Sequence, residues 1–475
     1  MLFNSTAFLL FLPTVFFLYW FVFKNQLRAQ NVLLLVASYI FYGWWDWRFL
    51  SLIIASTFLD YFIALALQKT ERSSKRKVLL AISLAGNLGM LGFFKYYNFF
   101  VTSWIEVWSS VGITMEATTL NIILPVGISF YTFQTLSYTI DVYRKEMQPT
   151  KSFIDFAAFV TFFPQLVAGP IERASHLLPQ FYKNRNFDYQ NAVDGVKLII
   201  WGMFKKVVVA DNCAFFVNTI FENPEAYSSG ELFVGMVFFA FQIYGDFSGY
   251  SDMAIGISKL FGFDLMVNFK FPYFSRDIAE FWRRWHISLS TWFRDYIYIP
   301  LGGSKGTQGL QIRNVMIIFL VSGFWHGANW TYVAWGLFHA LLFLPLLLFN
   351  VNRSHLITKS YGWLDFAKIG VTFLVVCIGW VFFRADSITD AFQYLAHLFE
   401  LKSLGLSLFY KTNANLMIFA LSVLAVGILS MQELVWVIKK RDLPKISAFG
   451  ALLLVLLIFF MGSFKNQMDF IYFQF

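Results

Sequence analysis

The chain has 475 residues, of which 58% are hydrophobic and 21% aromatic, with 60 phenylalanines and a mean hydropathy of +0.59. Only 14% of residues are charged, against about 25% in soluble domains. So much apolar surface excludes a soluble fold, because even a large globule must make its exterior largely polar. The balance of +9 does not point to nucleic acid, since the basic residues fall in short runs between apolar segments, as the positive-inside rule predicts.

Apolar runs near residues 5–23, 31–45, 49–67, 78–94, 119–142, 153–169, 192–222, 232–261, 312–325, 330–350, 366–384, 414–431 and 446–462 are long enough to span a bilayer or nearly so. Several are short or broken by Pro and Gly. The expectation is an all-α polytopic membrane protein with about 11–13 transmembrane or re-entrant helices. Leu124-Pro-Val-Gly127 and the stretch 264–310 are candidates for re-entrant or interfacial backbone. No fixed-period repeat or sizeable polar segment interrupts the pattern, so residues 1–475 read as one integral domain. No cleavable signal peptide is expected at the first apolar run, which has no basic residues before it.

Three basic stretches fix an expected orientation. Lys24 and Arg28 follow the first run, Glu71–Lys77 follows the third, and Lys439–Lys445 precedes the last. All three fall on the cytoplasmic side if the N-terminus starts outside, which also puts the tail, residues 463–475, outside.

Ionisable groups at membrane depth are costly, and by default mark chemistry or transport. Phe324-Trp-His-Gly-Ala-Asn-Trp330 places His326 after an apolar segment, beside Trp325 and Asn329. A satisfied core histidine is the plainer alternative. Phe281-Trp-Arg-Arg-Trp-His286 places His286 among Arg276, Asp277, Glu280, Arg283, Arg284, Arg294 and Asp295. That cluster suits an interfacial helix with snorkelling arginines. It equally suits a polar chamber where arginines hold an anionic donor and a histidine manages a proton. Forty residues separate the two histidines, so only the fold can bring them together. His176, His339, His355 and His397 read as structural. Cys213 and Cys377 lie in apolar surroundings, and no His-Glu-x-x-His or Cys-x-x-Cys spacing occurs, so no catalytic metal is expected. A Gly-x-Ser-x-Gly elbow is likewise missing, which argues against a hydrolase triad.

The segments Phe281–Ser290 and Phe293–Gly303 together resemble the signature of the membrane-bound O-acyltransferase (MBOAT) family, in its bacterial alginate O-acetyltransferase branch. Leu124–Phe133, Phe163–Glu172 and Tyr244–Asp252 are similar to that branch as well. The resemblance implies a ring of tilted helices around a central funnel, with His326 catalytic and His286 its second invariant histidine. It further implies cytosolic acetyl-CoA as donor, with no bound cofactor, and acetylation of an exported polysaccharide such as alginate, another exopolysaccharide or peptidoglycan. Arg283, Arg284, Arg294, Asp295, Trp325 and Asn329 are the expected donor- or substrate-binding residues. The expected setting is the bacterial cytoplasmic membrane, with membrane lipid around the chain. D-alanyl transfer to a cell-envelope polymer is the neighbouring alternative. A proton-coupled transporter is the alternative from another class, but the inverted repeats expected of one are not seen.

The last residues, Asp469-Phe-Ile-Tyr-Phe-Gln-Phe475, suit an aromatic interfacial anchor. They also resemble a C-terminal motif of bacterial acetyl- and D-alanyl-transfer systems. That resemblance implies that Tyr472 carries the acyl group and passes it to an extracytoplasmic, esterase-like partner protein. A phenol ester suits the role, because phenolate (pKa about 10) leaves more readily than a sugar alkoxide.

Overall fold

The computed structural model describes residues 1–353, 356, 361–401, 403–464 and 470–471. Every regular element among them is helical. In chain order these are α1 (Thr6–Phe17), α2 (Leu27–Asp46), α3 (Leu50–Gln68), α4 (Ser73–Leu91), α5 (Tyr97–Ser110), α6 (Ile128–Arg144), α7 (Phe153–Thr161), α8 (Ala174–Leu177), α9 (Tyr189–Met203) and α10 (Asp211–Glu222). They continue as α11 (Ser229–Leu260), α12 (Ile278–Arg284), α13 (Ile287–Phe293), α14 (Gln308–His326), α15 (Trp330–Leu348), α16 (Trp363–Arg384), α17 (Ile388–Glu400), α18 (Ser407–Tyr410), α19 (Asn413–Ile438) and α20 (Ala448–Met461). Helices are the outcome that hydrocarbon demands, since they satisfy backbone polar groups within one segment.

Six helical stretches among the described residues are long and apolar enough to cross a membrane: Leu27–Gln68, Ser73–Ser110, Ser229–Leu260, Trp330–Leu348, Trp363–Arg384 and Asn413–Ile438. Thr6–Val22 and Ala448–Met461 are shorter apolar helices. The apolar run 119–142 becomes helical only at Ile128. Pro125 lacks an N–H and biases its predecessor away from helix, and Gly127 enters α6 at φ 74°. The run 153–169 stops being helical at Thr161, three residues before Pro164. The run 192–222 is two helices joined by a π-helical turn, Phe204–Ala210. The stretch 264–310 holds a 3-10 turn at Pro272–Phe274, the short helices α12 and α13, and a π turn over Arg294–Tyr298, before α14 begins at Gln308.

The chain forms two compact units. One comprises residues 1–196 with 254–266, the other 197–253 with 267–475. In the first, α3 packs against α4 and α6, and α2 against α7. Asp60 on α3 is fully buried and accepts hydrogen bonds from Ser83, from Asn87 Nδ2 (2.8 Å) and from Thr139 (3.0 Å), tying three helices together. Asn31 on α2 donates to Asp155 on α7 at 2.8 Å and to the Phe181 carbonyl at 2.9 Å. Such polar pairs hold helices where the surroundings supply no hydrophobic drive between them.

The segment after α7 closes on a buried carboxylate outside the six apolar spans. Glu172 accepts the Met266 N–H at 2.5 Å and bonds His176 Nδ1 at 2.7 Å. The bond to Glu172 raises His176 above its ordinary value, although part of the ring is exposed. A histidine raised by folding stabilises the fold below its unfolded value, and that contribution disappears as pH climbs through the raised one. The melting temperature of the wild type should therefore exceed that of His176→Gln at about pH 6, and the gap should close towards about pH 9. A gap that is constant with pH would show that the pair contributes no proton-linked stability.

Candidate active site

The second unit holds both motif histidines. His326 is the last residue of α14, and the chain leaves the helix through Gly327 in extended conformation (φ −161°). A Cβ on Gly327 would lie 2.0 Å from the Tyr332 ring, so only glycine allows that close turn. Helices α14 and α15 meet through Gly323 and Gly336: a Cβ on the first would lie 2.2 Å from the Tyr332 carbonyl oxygen, and on the second 2.3 Å from that of Phe319. Small residues permit this backbone approach. It packs the His326 ring against Trp335 (centroids 5.1 Å), Trp325 (4.9 Å) and Phe383 (5.4 Å).

His286 precedes α13 in the left-handed region (φ 45°), an uncommon conformation outside glycine. Asn268 supports it. Its Oδ1 accepts Nδ1–H of His286 (3.0 Å), the N–H of Ser288 (3.2 Å) and the Ser288 hydroxyl (3.0 Å). Its own backbone carbonyl accepts the Ile287 N–H at 2.9 Å. An oxygen already taking two Ser288 donors acts as an acceptor towards the ring too, which makes Nδ1 the donor and Nε2 the basic nitrogen of the neutral ring. The two imidazole centroids lie 6.3 Å apart, and both rings are buried, His286 wholly and His326 at 3% exposed. The thirty-nine intervening residues fold so that both rings sit in one aromatic cluster, with Trp325 against each of them.

The remaining expected residues divide. Trp325 packs edge-on to His286 at 6.0 Å and belongs to the chamber wall. Arg283 and Arg294 line a cavity of about 250 Å³ together with Arg353, and its inner wall includes Trp282, Phe319 and Ser322. Ser322 lies one helical turn before His326, on the same face of α14. Arg284 is not in that lining: it pairs with Glu280 and donates to the Tyr361 hydroxyl at 2.8 Å. Glu280 also holds Arg276. Asp295 pairs with Arg294 at 2.7 Å. Asn329 caps α15, accepting the Thr331 N–H at 3.0 Å and donating to the Asp386 carbonyl at 2.8 Å. Tyr472 and His355 lie outside the described residues.

Three features escape the sequence reading. His339 lies one ring beyond His326, since Trp335 contacts both (5.1 and 5.0 Å). Arg353 joins the two motif arginines around the cavity. Buried charge also gathers on the π turn Phe204–Ala210. Lys205 pairs with Asp252 (2.7 Å), and Tyr244 donates to Glu433 (2.7 Å) beside it. Lys206 pairs with Asp246 (2.8 Å) and Asp211 (2.9 Å). The available signal was the pair Lys205-Lys206 inside an apolar run, opposite the aspartates of the Tyr244–Asp252 motif.

Two buried histidines thus lie within one aromatic cluster, and the arginine-lined cavity reaches Ser322, one helical turn from His326. The model of MBOAT, the membrane-bound O-acyltransferase family, matches residues 146–389, a stretch containing both histidines. The chain is 41% identical over 419 residues to a protein of Pseudomonas aeruginosa named probable alginate O-acetylase AlgI, across 87% of this chain and 78% of that one. It is 37% identical over 441 residues to the peptidoglycan O-acetyltransferase of Helicobacter pylori, across 86% and 81%. The teichoic acid D-alanyltransferase of Streptococcus thermophilus is more distant, at 31% over 51% of this chain and 62% of that protein. The chain belongs to the MBOAT family, and it is a multi-pass membrane acyltransferase.

Asn268→Ala strips the His286 turn of its shared acceptor and leaves buried donors unsatisfied, a loss of about 1–3 kcal/mol per group. Its turnover in membranes should fall roughly tenfold to a hundredfold, with the protein still inserted. Turnover within twofold of wild type would show that His286 orientation does not matter to transfer.

Proposed function

We propose that this chain is an O-acetyltransferase that moves acetyl groups from cytosolic acetyl-CoA across the bacterial cytoplasmic membrane, for O-acetylation of an exported polysaccharide. The observation that carries the reading is the buried pair His286–His326, together with a cavity that bears three arginines and whose lining reaches Ser322, one helical turn from His326. The names of two kinds of relative matched over most of this chain, an alginate O-acetylase and a peptidoglycan O-acetyltransferase, support an acetyl group and a glycan acceptor. D-alanyl transfer has weaker support, because that relative matches over about half the chain.

In this reading Arg283, Arg294 and Arg353 attract the phosphates of the donor. At about 250 Å³ the cavity takes one end of acetyl-CoA rather than all of it, since pockets for whole ligands run from about 300 to 1,000 Å³. His326 acts as general base, with His286 positioned by Asn268 as its partner. The base takes the proton of the attacking hydroxyl as its oxygen bonds to the thioester carbonyl. The tetrahedral adduct then expels the thiolate of coenzyme A, which accepts that proton. Aromatic walls keep water from competing for the acyl group.

The first acceptor is Tyr472. Its acetyl ester then passes, on the outer side, to an extracytoplasmic esterase-like partner that acetylates the glycan. Three basic loops support an outside N-terminus and an outside tail.

One experiment on the purified full-length protein tests both halves. After mixing with acetyl-CoA, mass spectrometry of the wild type should find acetyl on Tyr472, and Tyr472→Phe should carry none while cells expressing it lose glycan acetylation. Full glycan acetylation with Tyr472→Phe would return the tail to the role of anchor. In the same assay Arg283→Gln and Arg294→Gln should raise the KM for acetyl-CoA and sharpen its salt dependence. An unchanged KM with reduced protein yield would make these arginines interfacial anchors.

A further inference from the structure

The chain's end and the buried Lys206 cluster meet at one hydrogen bond. The N–H of Ile471 donates to Oδ2 of Asp246 at 2.6 Å. Asp246 is paired with Lys206 (2.8 Å), and Lys206 in turn with Asp211 (2.9 Å). Asp246 and Asp211 are 2% and 3% exposed. One ammonium between two carboxylates leaves acceptor capacity over, and the tail's backbone supplies the donor. Bonds of this charge-assisted kind are about twice as strong as neutral ones.

The π turn and the first turn of α10 also anchor the point where the tail departs. Asn212 Nδ2 donates to the carbonyls of Val208 (2.8 Å) and Met461 (2.9 Å), and Ser463 N–H donates to the Val207 carbonyl at 3.0 Å. The tail is thus held both where it leaves α20 and again at Phe470–Ile471. These two residues are each 2% exposed. The Phe470 ring lies 5.1 Å from Tyr250 and 6.3 Å from Phe247, and Phe247 stands edge-on to His286 at 4.7 Å. A single ring therefore separates the docked tail from the histidine pair.

We propose that Lys206, Asp211 and Asp246 form a docking clamp for the chain's own C-terminal tail, fixing the residue before Tyr472 at the wall of the His286 chamber. The functional consequence rests on the reading of Tyr472 as acyl carrier; the docking itself does not. Asp246 is a positioning residue: it grips backbone rather than side chain, so residue 471 need not be isoleucine. Releasing the tail leaves a buried carboxylate short of a donor, which opposes release. The π turn gives the clamp its geometry by directing successive lysines to different partners, Lys205 to Asp252 and Lys206 to Asp246.

The test uses full-length protein in proteoliposomes with a reporter, Ile471→Cys, that keeps the N–H. Cys213 and Cys377 are buried and set the background. Maleimide should label the reporter slowly, and adding Asp246→Ala should speed labelling by about tenfold or more, as loss of a charge-assisted hydrogen bond predicts. Asp246→Asn keeps a carbonyl acceptor and should restore much of the protection. Ile471→Pro, which removes the donor without touching the cluster, should depress acetylation of Tyr472 in step with Asp246→Ala. Unchanged labelling in a folded Asp246→Ala protein would overturn the clamp. So would fast labelling combined with undiminished Tyr472 acetylation, since the clamp would then position nothing. If Tyr472→Phe leaves glycan acetylation intact while Asp246→Ala still frees the reporter, the docking stands and the carrier reading falls.

Discussion

A single side-chain oxygen, Oδ1 of Asn268, gathers the His286 ring and both donors of Ser288 into one turn. His286 holds a left-handed backbone conformation there, at φ 45°, which the surrounding bonds must outweigh. The same contact sets the ring's tautomer. With Nδ1–H engaged, Nε2 is the nitrogen that accepts a proton or a hydroxyl hydrogen bond. Without Asn268 the His286 ring and both donors of Ser288 lose their shared acceptor.

Packing brings His326 to the same place by a different route. Gly323 and Gly336 let α14 and α15 touch along their backbones, and Gly327 makes room for the Tyr332 ring. Trp335, Trp325 and Phe383 then wall the imidazole. One histidine is placed by hydrogen bonds and the other by close helix contact. Both become buried, His286 wholly and His326 at 3% exposed; in the proposed mechanism that burial keeps water from competing for the acyl group.

Much of this was legible in the residues. Hydropathy marked the long helices, and two Trp-His motifs marked both histidines. The resemblance in Phe281–Gly303 pointed to the family that the comparisons establish. Other features depended on the fold. Arg284 stands at i+4 from Glu280 and pairs with it, while Arg283, one residue earlier, turns towards a cavity that only the fold forms. Asn329, expected from its place beside His326, serves as the N-cap of α15, a common use of asparagine before a helix. His339 read as a structural residue on an apolar helix; only the pairing of α15 with α14 brings it within one ring of His326. Lys206 and Asp246 are forty residues apart, and the tail lies over two hundred residues further on. Such long-range pairing leaves no periodic trace in sequence.

In the proposed mechanism His326 activates the acceptor for acyl transfer, and thiol release reports on that step most directly. Purified full-length protein in liposomes would be given acetyl-CoA, and free coenzyme A followed with a thiol reagent. General-base catalysis contributes typically 10²–10⁴-fold, so His326→Ala should release thiol at about 1% of the wild-type rate or less, with an unchanged melting temperature. Release within a few-fold of wild type by that folded variant would contradict the assignment.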